Sequence, residues 1–149
     1  MGKAKPGPAQ ALFEDYRARS RMPLELVEVE ERRPLAGPAL KRREGELLLA
    51  ALARRTARPR VVVALDERGR SLPTAAFAGR LAAWRDQGVA ELAFVIGGAD
   101  GLDRAVSETA DLELSLGAMT WPHLLVRGLI AEQLYRAQQI LAGHPYHRP

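Results

Sequence analysis

Apolar and polar positions along the chain follow two different periods, which together predict an α/β fold. Short, nearly continuous apolar runs occupy Arg60–Leu65, Glu91–Ile96 and Leu112–Leu116, and such runs are typical of strands that are covered on both faces. Longer stretches with helical spacing separate them. Buried strands that alternate with helices at this pitch favour a Rossmann-like, mostly parallel sheet.

The predicted helices have apolar residues three or four positions apart, and several begin near a proline or end near a glycine. They cover Ala9–Arg19, Pro38–Ala57, Thr74–Gln87, the short segment Asp103–Thr109, and Pro122–Leu141. Phe77, Leu81 and Trp84 share one side of the third helix, and Gly88 follows it as a left-handed cap. Leu24–Val29 is predicted as a further strand, Glu30–Gly37 as a loop, and Asp66–Gly69 as a turn.

The length and composition are those of one folded domain, which we expect to cover residues 1–149. The longest apolar run, Leu47–Ala53, is far shorter than the roughly 18 residues that a membrane-spanning helix needs. No apolar core follows the basic start of the chain, as it would in a secretory signal. We therefore expect a cytoplasmic protein that does not enter the membrane.

Cysteine is absent, which excludes disulfides, thiolate nucleophiles and cysteine-rich zinc sites. Three histidines make a metal site a poor expectation. Positive charge is concentrated in the first 60 residues, where 14 basic and 8 acidic side chains give a net charge of +6; the remainder has a net charge of −2. This excess fits either a nucleic-acid partner or a merely solvated basic face.

Candidate binding residues follow the predicted strands, because ligands of parallel sheets bind beyond the carboxyl ends of the strands. Three segments leave such ends: Leu65–Asp66, Gly97–Gly101 and Gly117–Pro122. The glycines of the second segment allow close approach of a ligand to the backbone, although a tight turn explains them equally well. The third segment is small and apolar. It suits a flat, neutral group such as adenine, or else packs onto the core.

The carboxy-terminal tail, G-H-P-Y-H-R-P, holds side chains that can form hydrogen bonds, stack on a base or contact phosphate. The spacing of His144 and His147 alone does not support a metal site, because no carboxylate or thiolate accompanies them. The alternative is a frayed chain end.

Several segments of the sequence resemble a known family. The segments FVIGGADGL, ELSLGAMTWPH and AEQLYRAQQILAGHPYHR are similar to the ribosomal RNA large subunit methyltransferase H family, a branch of the SPOUT methyltransferases. The middle segment VVVALDERGRSLPTAAFAGRLAAW also resembles the family's strand, turn and helix. The resemblance implies a carboxy-terminal trefoil knot over about residues 91–141, followed by a tail over 142–149.

The resemblance further implies methylation of N3 of a pseudouridine in a stem-loop of 23S rRNA on the ribosome, with S-adenosylmethionine as donor. It implies a homodimer in which the tail of one subunit completes the cofactor pocket of the other. The cofactor would lie against Leu65, Gly98 and the segment Gly117, Ala118, Met119, Thr120, Trp121 and Pro122. The substrate-side residues would be Arg136, Tyr146, His147 and Arg148.

Roles for these residues follow from the chemistry that the resemblance implies. Arg136 and Arg148 would stabilise the anion formed at N3, and His147 would accept its proton. For Arg136, the alternative is a simple ion pair with Glu132 one helical turn away. Contacts to phosphate are expected from Arg32, Arg33, Lys41, Arg42 and Arg43.

Members of this family begin with an apolar strand ahead of the loop seen here as M-G-K-A-K-P-G-P. We therefore expect a mis-assigned start codon and a missing first strand. Two other functions stay open: a catalytically inactive ribosome- or RNA-binding protein of the same fold, and a Rossmann-like module for a different adenine nucleotide.

Overall fold

The computed structural model describes residues 6–146, which separate into two compact units. The first unit comprises Val27–Ser71 and Val89–His123. The second comprises Leu72–Gly88 with the described residues before Val27 and after His123. The elements, in chain order, are α1 (Pro8–Arg19), α2 (Gly37–Ala53), β1 (Arg60–Ser71), α3 (Thr74–Asp86), β2 (Glu91–Ile96), α4 (Arg104–Ser107), β3 (Leu112–Ser115) and α5 (His123–Leu141).

The first unit contains a parallel sheet in the order β2-β1-β3, which confirms the predicted α/β class. β1 pairs with β2 from Arg60↔Glu91 to Leu65↔Ile96, and with β3 from Val63↔Leu112. Asp111 extends this second pairing beyond the strand. Its carboxylate accepts a hydrogen bond from the Val62 amide at 2.7 Å, while its own amide donates to the Val62 carbonyl at 2.8 Å.

β1 is longer than predicted, because the chain does not leave the sheet at the expected turn. The bend is present, since the Asp66 carboxylate accepts a hydrogen bond from the Arg68 amide at 2.9 Å. However, pairing with β3 resumes at Arg70 after a shift in register. Gly69 permits this return, because a Cβ there would stand 2.7 Å from the Glu113 backbone.

One face of the sheet forms a core with α2 and α4. Val62, Ala64, Val95, Leu102 and Val106 are buried there, and Leu48, Leu49 and Leu52 of α2 pack against them. Gly45 brings α2 close to the start of α4, since a Cβ on Gly45 would stand 2.7 Å from the Asp103 side chain. This packing places α2 beside the loop that joins β2 to α4.

The second unit is helical and comprises α1, α3 and α5. Leu12 of α1 packs directly over Gly128 of α5, where its side chain occupies the space of a Cβ. The Thr74 hydroxyl donates to the Gln133 side chain at 3.0 Å and joins α3 to α5. Phe77, Leu81 and Trp84 are buried, as the pattern of α3 predicts. Gly88 adopts a φ of 76°, which confirms the left-handed cap.

Several boundaries differ from the predictions. The strand at Leu24–Val29 was wrong: the segment has extended propensity, but no strand of the described sheet pairs with it. α2 ends at Ala53 instead of Ala57; near its end the Leu52 carbonyl accepts hydrogen bonds from the Arg55 amide at 3.1 Å and the Arg60 guanidinium at 2.6 Å. α4 is also shorter than predicted, with Asp103 as its amino-terminal cap.

Some predictions of architecture stay predictions. They are the trefoil knot, the single domain over residues 1–149 and the missing first strand. In the described part of the chain, no helix is both long enough and apolar enough to cross a bilayer.

Candidate functional site

The three predicted strand-end segments meet at one edge of the sheet in the first unit. Leu65 of β1 pairs with Ile96 of β2 on one side and with Leu114 of β3 on the other. The glycine loop (residues 97–101) follows Ile96 directly, and the Gly117 loop (residues 117–122) follows β3 after Leu116. Leu65, Gly98 and Gly117–Pro122 therefore belong to neighbouring strand ends, as expected for a parallel sheet.

The glycine loop is a tight turn, which confirms the simpler of the two interpretations of its glycines. The Gly101 amide donates to the Gly98 carbonyl at 3.1 Å, and Gly101 has a φ of 78°. At Gly97, which is buried, a Cβ would stand 2.6 Å from the Gly101 carbonyl carbon. The turn does not exclude a ligand contact, because Gly98 is partly exposed and Gly101 is exposed, although Gly97 is buried.

Glu44 of α2 lies directly over Gly98. The nearest atoms to a Cβ built on Gly98 are the two carboxylate oxygens of Glu44, at 2.5 and 2.8 Å. Partial burial raises the pKa of Glu44, and the nearby charge of Asp100 acts in the same direction. The first unit thus holds a carboxylate against the glycine loop in surroundings that disfavour its ionised form.

The Gly117 loop is anchored at its start by Ser115, which is buried. The Ser115 hydroxyl accepts a hydrogen bond from the Gly117 amide at 3.1 Å. It also lies 3.1 Å from the carbonyl oxygens of Glu67 and Gly117, and donates to one of them. Gly117 itself has a φ of 120°, a conformation that favours glycine, and nothing lies within 4 Å of its Cβ position.

The remainder of the Gly117 loop is exposed, so the alternative of a loop packed onto the core was wrong. Ala118, Met119, Thr120, Trp121 and Pro122 are all exposed, Met119 by 73% and Trp121 by 40%. Met119 and Trp121 are two large apolar side chains exposed within three residues of one loop. Met119 and Trp121 can cover the faces of a flat, mostly neutral group.

The second unit holds Arg136 and Tyr146 together. The Glu132 carboxylate accepts a hydrogen bond from Arg136 Nε at 2.8 Å, which confirms the ion pair considered above. The guanidinium of Arg136 also lies 5.0 Å from the centre of the Tyr146 ring. The Tyr146 hydroxyl is 3.4 Å from Glu132 and 3.3 Å from the Tyr16 hydroxyl. Contact with Tyr16, together with burial, raises the pKa of Tyr146 to about 12.

The other two predicted substrate-side residues, His147 and Arg148, lie outside the described residues. The predicted cofactor residues all belong to the first unit, and Arg136 and Tyr146 belong to the second.

Four of the five basic residues predicted to contact phosphate divide into two groups; the fifth, Lys41, is half-buried, with its Nζ 3.9 Å from the Cβ position of Gly101. In the Glu31 cluster (Glu31, Arg33 and Arg43), the buried Glu31 carboxylate accepts from Arg33 at 3.0 Å and from Arg43 at 2.7 Å. Arg33, followed by Arg43, holds the pKa of Glu31 well below its usual range. By contrast, Arg32 and Arg42 are exposed and form no ion pair with any described residue.

No group of three or more His, Asp and Glu side chains within residues 6–146 is arranged to hold a metal ion.

The sequence did not reveal Glu44, Gly97 or Ser115 as parts of this edge. Glu44 belongs to a helix 50 or more residues away along the chain, so nothing in its local pattern indicates contact with Gly98. Ser115 lies in a predicted strand and has no motif of its own. Gly97 was visible as one of three glycines, but the sequence alone does not distinguish its role from that of Gly98.

Comparison with known proteins gives a consistent result over the whole chain. A family model described as "Predicted SPOUT methyltransferase" matches residues 1–147. A protein of Rhodospirillum centenum, named ribosomal RNA large subunit methyltransferase H, is 61% identical over 148 residues, which are 99% of this chain and 95% of that protein. Proteins of the same name from Paramagnetospirillum magneticum and Rhodospirillum rubrum are 60% and 51% identical over 149 and 148 residues, again covering 95% of each relative.

Proposed function

The chain belongs to the ribosomal RNA large subunit methyltransferase H family of SPOUT methyltransferases, and on that premise we propose that it methylates N3 of a pseudouridine in 23S rRNA on the ribosome, with S-adenosylmethionine as donor. The observation that carries the proposal is the meeting of three loops at one sheet edge, combined with an identity of up to 61% to proteins of this name. Because the substrate is ribosomal, the reaction takes place in the cytoplasm.

The residues at this edge fit the donor. Gly98 is partly exposed beside the Glu44 carboxylate, and Gly117 starts a loop in which nothing lies within 4 Å of its Cβ position. Met119 and Trp121 offer exposed apolar surface for an adenine ring, and the loop carbonyls and amides offer hydrogen bonds. We assign the donor to Leu65, Gly98 and Gly117–Pro122.

When bound, S-adenosylmethionine supplies an electrophilic methyl group on a sulfonium, and its transfer leaves a neutral thioether. The residues therefore have to align the methyl group with N3 and exclude water. N3 of pseudouridine lies between two carbonyl groups and becomes nucleophilic when its proton leaves. The chain must accept that proton and stabilise the negative charge that spreads onto the carbonyl oxygens.

Arg136 is placed in this role because its guanidinium keeps its orientation through Glu132. The side chain is partly exposed, and its hydrogen bond to Glu132 raises its pKa, so it stays fully protonated. Arg148 adds a second positive charge, and His147 accepts the N3 proton. Tyr146, with its pKa raised to about 12, remains a neutral phenol that holds the start of the tail.

Selectivity for one stem-loop requires more surface than one chain of this size provides, and we propose a homodimer that completes each pocket with the partner's tail. Arg32, Lys41 and Arg42 are the residues of the basic segment best placed to contact phosphate, since Arg33 and Arg43 already share Glu31.

The test is transfer of labelled methyl from S-adenosylmethionine to ribosomes from a strain that lacks the gene, followed by mass spectrometry of the digested rRNA. Methylated pseudouridine at one position is the expected product. Ribosome binding without any transfer would instead identify the catalytically inactive RNA-binding protein. Transfer to another nucleoside would overturn the N3 assignment alone.

His147→Ala tests the proton acceptor in the same assay. We expect a loss of about 100-fold in the rate of transfer, which is typical for removal of a general base. Arg17→Ala is the control, because Arg17 is an exposed residue of α1 that pairs with Glu14 at 3.4 Å. A rate for His147→Ala equal to that of the control would eliminate His147 as the base.

A further inference from the structure

All three tyrosines of the chain lie in one group in the second unit, around one arginine. This tyrosine cluster (Tyr16, Tyr135 and Tyr146) joins α1, α5 and the tail. The Tyr135 and Tyr146 rings meet edge to face with centres 4.9 Å apart, and the Tyr16 and Tyr135 rings are 5.8 Å apart. Aromatic pairs in this arrangement attract each other beyond the effect of the area that they bury.

The arginine is Arg19, at the last position of α1. Its guanidinium lies 4.5 Å from the centre of the Tyr135 ring, 5.1 Å from Tyr16 and 5.7 Å from Tyr146. A cation within about 6 Å of a ring centre is attracted by the π electrons. The Arg19 guanidinium lies within this distance of all three tyrosine rings. Asp15 accepts a hydrogen bond from Arg19 at 3.2 Å, which restrains the guanidinium further.

Tyr146 is therefore held by several groups at once. Its ring contacts Tyr135 and has the guanidinium groups of Arg19 and Arg136 within 6 Å of its centre, and its hydroxyl contacts Glu132 and Tyr16. In the sequence, the next two residues are His147 and Arg148, which the proposed function places at the reacting nitrogen. The position of Tyr146 consequently limits where the following residues can reach.

We propose that Arg19 is a positioning residue, which holds Tyr146 and thereby sets the starting point of the tail. Its contribution to catalysis rests on the proposed function, but its hold on Tyr146 does not. Arg19 does not contact the reacting atoms; it acts through the tyrosine cluster.

Fluorine NMR of protein labelled with 3-fluorotyrosine tests the hold on Tyr146 directly, because the three signals come from the tyrosine cluster alone. Tyr146→Phe assigns the signal of residue 146. In Arg19→Ala we expect that signal to move toward the position of free fluorotyrosine, and in Arg19→Lys, which keeps a cation, to move less. Arg17→Ala is the matched control: Arg17 lies on the same helix, is similarly exposed, and pairs with Glu14 at 3.4 Å.

The transfer assay tests the consequence. For Arg19→Ala we expect kcat to fall by about tenfold with KM for ribosomes unchanged, because the tail is misplaced while binding surfaces remain. Arg19→Lys should recover part of the loss, and Arg17→Ala should match the wild type. Equal melting temperatures for Arg19→Ala and Arg17→Ala would exclude a general loss of folding.

An unchanged Tyr146 signal in Arg19→Ala overturns the proposal. A shifted signal with wild-type kcat overturns the catalytic part and leaves Arg19 as a structural contact of the tail. If the wild type itself transfers no methyl group, the proposed function fails, while the NMR result still decides whether Arg19 holds Tyr146.

Discussion

Ser115 and Glu44 each connect a loop of the sheet edge to the body of the first unit by a single side chain. Ser115, at the end of β3, is both donor and acceptor of hydrogen bonds at the start of the Gly117 loop. Glu44 contacts the glycine loop by its carboxylate, from a helix whose other contacts with the core are apolar. Replacing the two residues should change the stability of the fold in opposite directions. Ser115 forms hydrogen bonds with backbone groups, whereas Glu44 places a carboxylate in partly buried surroundings that disfavour its charge.

Ser115→Ala should lower the free energy of unfolding by about 1 kcal/mol, because the partly buried Gly117 amide loses the hydroxyl to which it donates. Denaturant titration measures the loss, and calorimetric titration with S-adenosylmethionine should show weaker binding through a less ordered loop. Ser107→Ala, on α4, is the control and should leave both quantities near those of the wild type. Unchanged stability of Ser115→Ala would contradict the anchoring role.

Glu44→Gln should stabilise the protein at neutral pH, and the gain should disappear in acid. The raised pKa of Glu44 means that the folded state favours the protonated carboxyl. The wild type has this contribution in full below the ordinary pKa of 4.5 and loses it as the pH rises through the raised value. Glutamine is neutral throughout, so the difference in melting temperature between the variant and the wild type should grow with pH.

Glu46→Gln is the control for that measurement. Glu46 is exposed on the same helix and pairs with Arg43 at 2.7 Å, so its neutralisation should bring no gain at neutral pH. A difference for Glu44→Gln that stays constant from acid to neutral pH would contradict the interpretation.

At the scale of elements, glycines decide where backbone segments approach one another. Gly97 lies against Gly101 within the glycine loop, Gly69 lies against β3, and Gly45 lies against the start of α4. In each case the partner is backbone or the first atoms of a side chain, which cannot move aside without displacing the element that carries them.

Gly97→Ala should destabilise the protein by about 2 kcal/mol or more, since its Cβ would stand 2.6 Å from the Gly101 backbone. Gly79→Ala is the matched substitution: Gly79 is exposed within α3, and nothing lies within 4 Å of its Cβ position. There the same change should stabilise by about 0.5–1 kcal/mol, because alanine favours a helix. Thermal unfolding of the two variants should shift in opposite directions, and a parallel shift would refute the packing argument.

The sequence predicted those elements whose pattern is set by burial. β2 agrees with its prediction to the residue, and α3, α5 and β3 agree to within one residue at each end. Elements decided by distant contacts were less accessible. Leu24–Val29 has the residues of a strand but lacks a partner, and β1 extends to Ser71 because Gly69 lets it return to β3. Residue spacing does not encode either fact.

The candidate site shows the same division. Rules for parallel sheets placed Leu65, Gly98 and Gly117–Pro122 at one edge from local sequence alone. Glu44 and Arg19 required the fold, because each acts on residues far away in the chain. The ion pair between Glu132 and Arg136 was predictable, since its partners lie one helical turn apart.

For the whole molecule, binding to ribosomal RNA should depend on fewer charges than the sequence contains. Arg42→Ala should reduce the magnitude of the slope of log affinity against log salt by about one, the value for the loss of one phosphate contact. Arg33→Ala should change the slope less, because Arg33 is already paired with Glu31. Ribosome binding over a range of salt concentrations measures both, and equal effects would show that the Glu31 cluster opens on binding.

The Glu31 cluster has a consequence for how the protein finds its target RNA among the other RNAs of the cell. Transfer and messenger RNAs have the same negatively charged backbone as the target ribosomal RNA. Each unpaired arginine that contacts phosphate therefore slows dissociation from these non-target RNAs. Because the guanidinium groups of Arg33 and Arg43 are paired with the Glu31 carboxylate, we expect the protein to bind bulk RNA more weakly than its number of arginines suggests. If the protein dissociates rapidly from non-target RNA, its specificity for the target site depends on shape complementarity at that site.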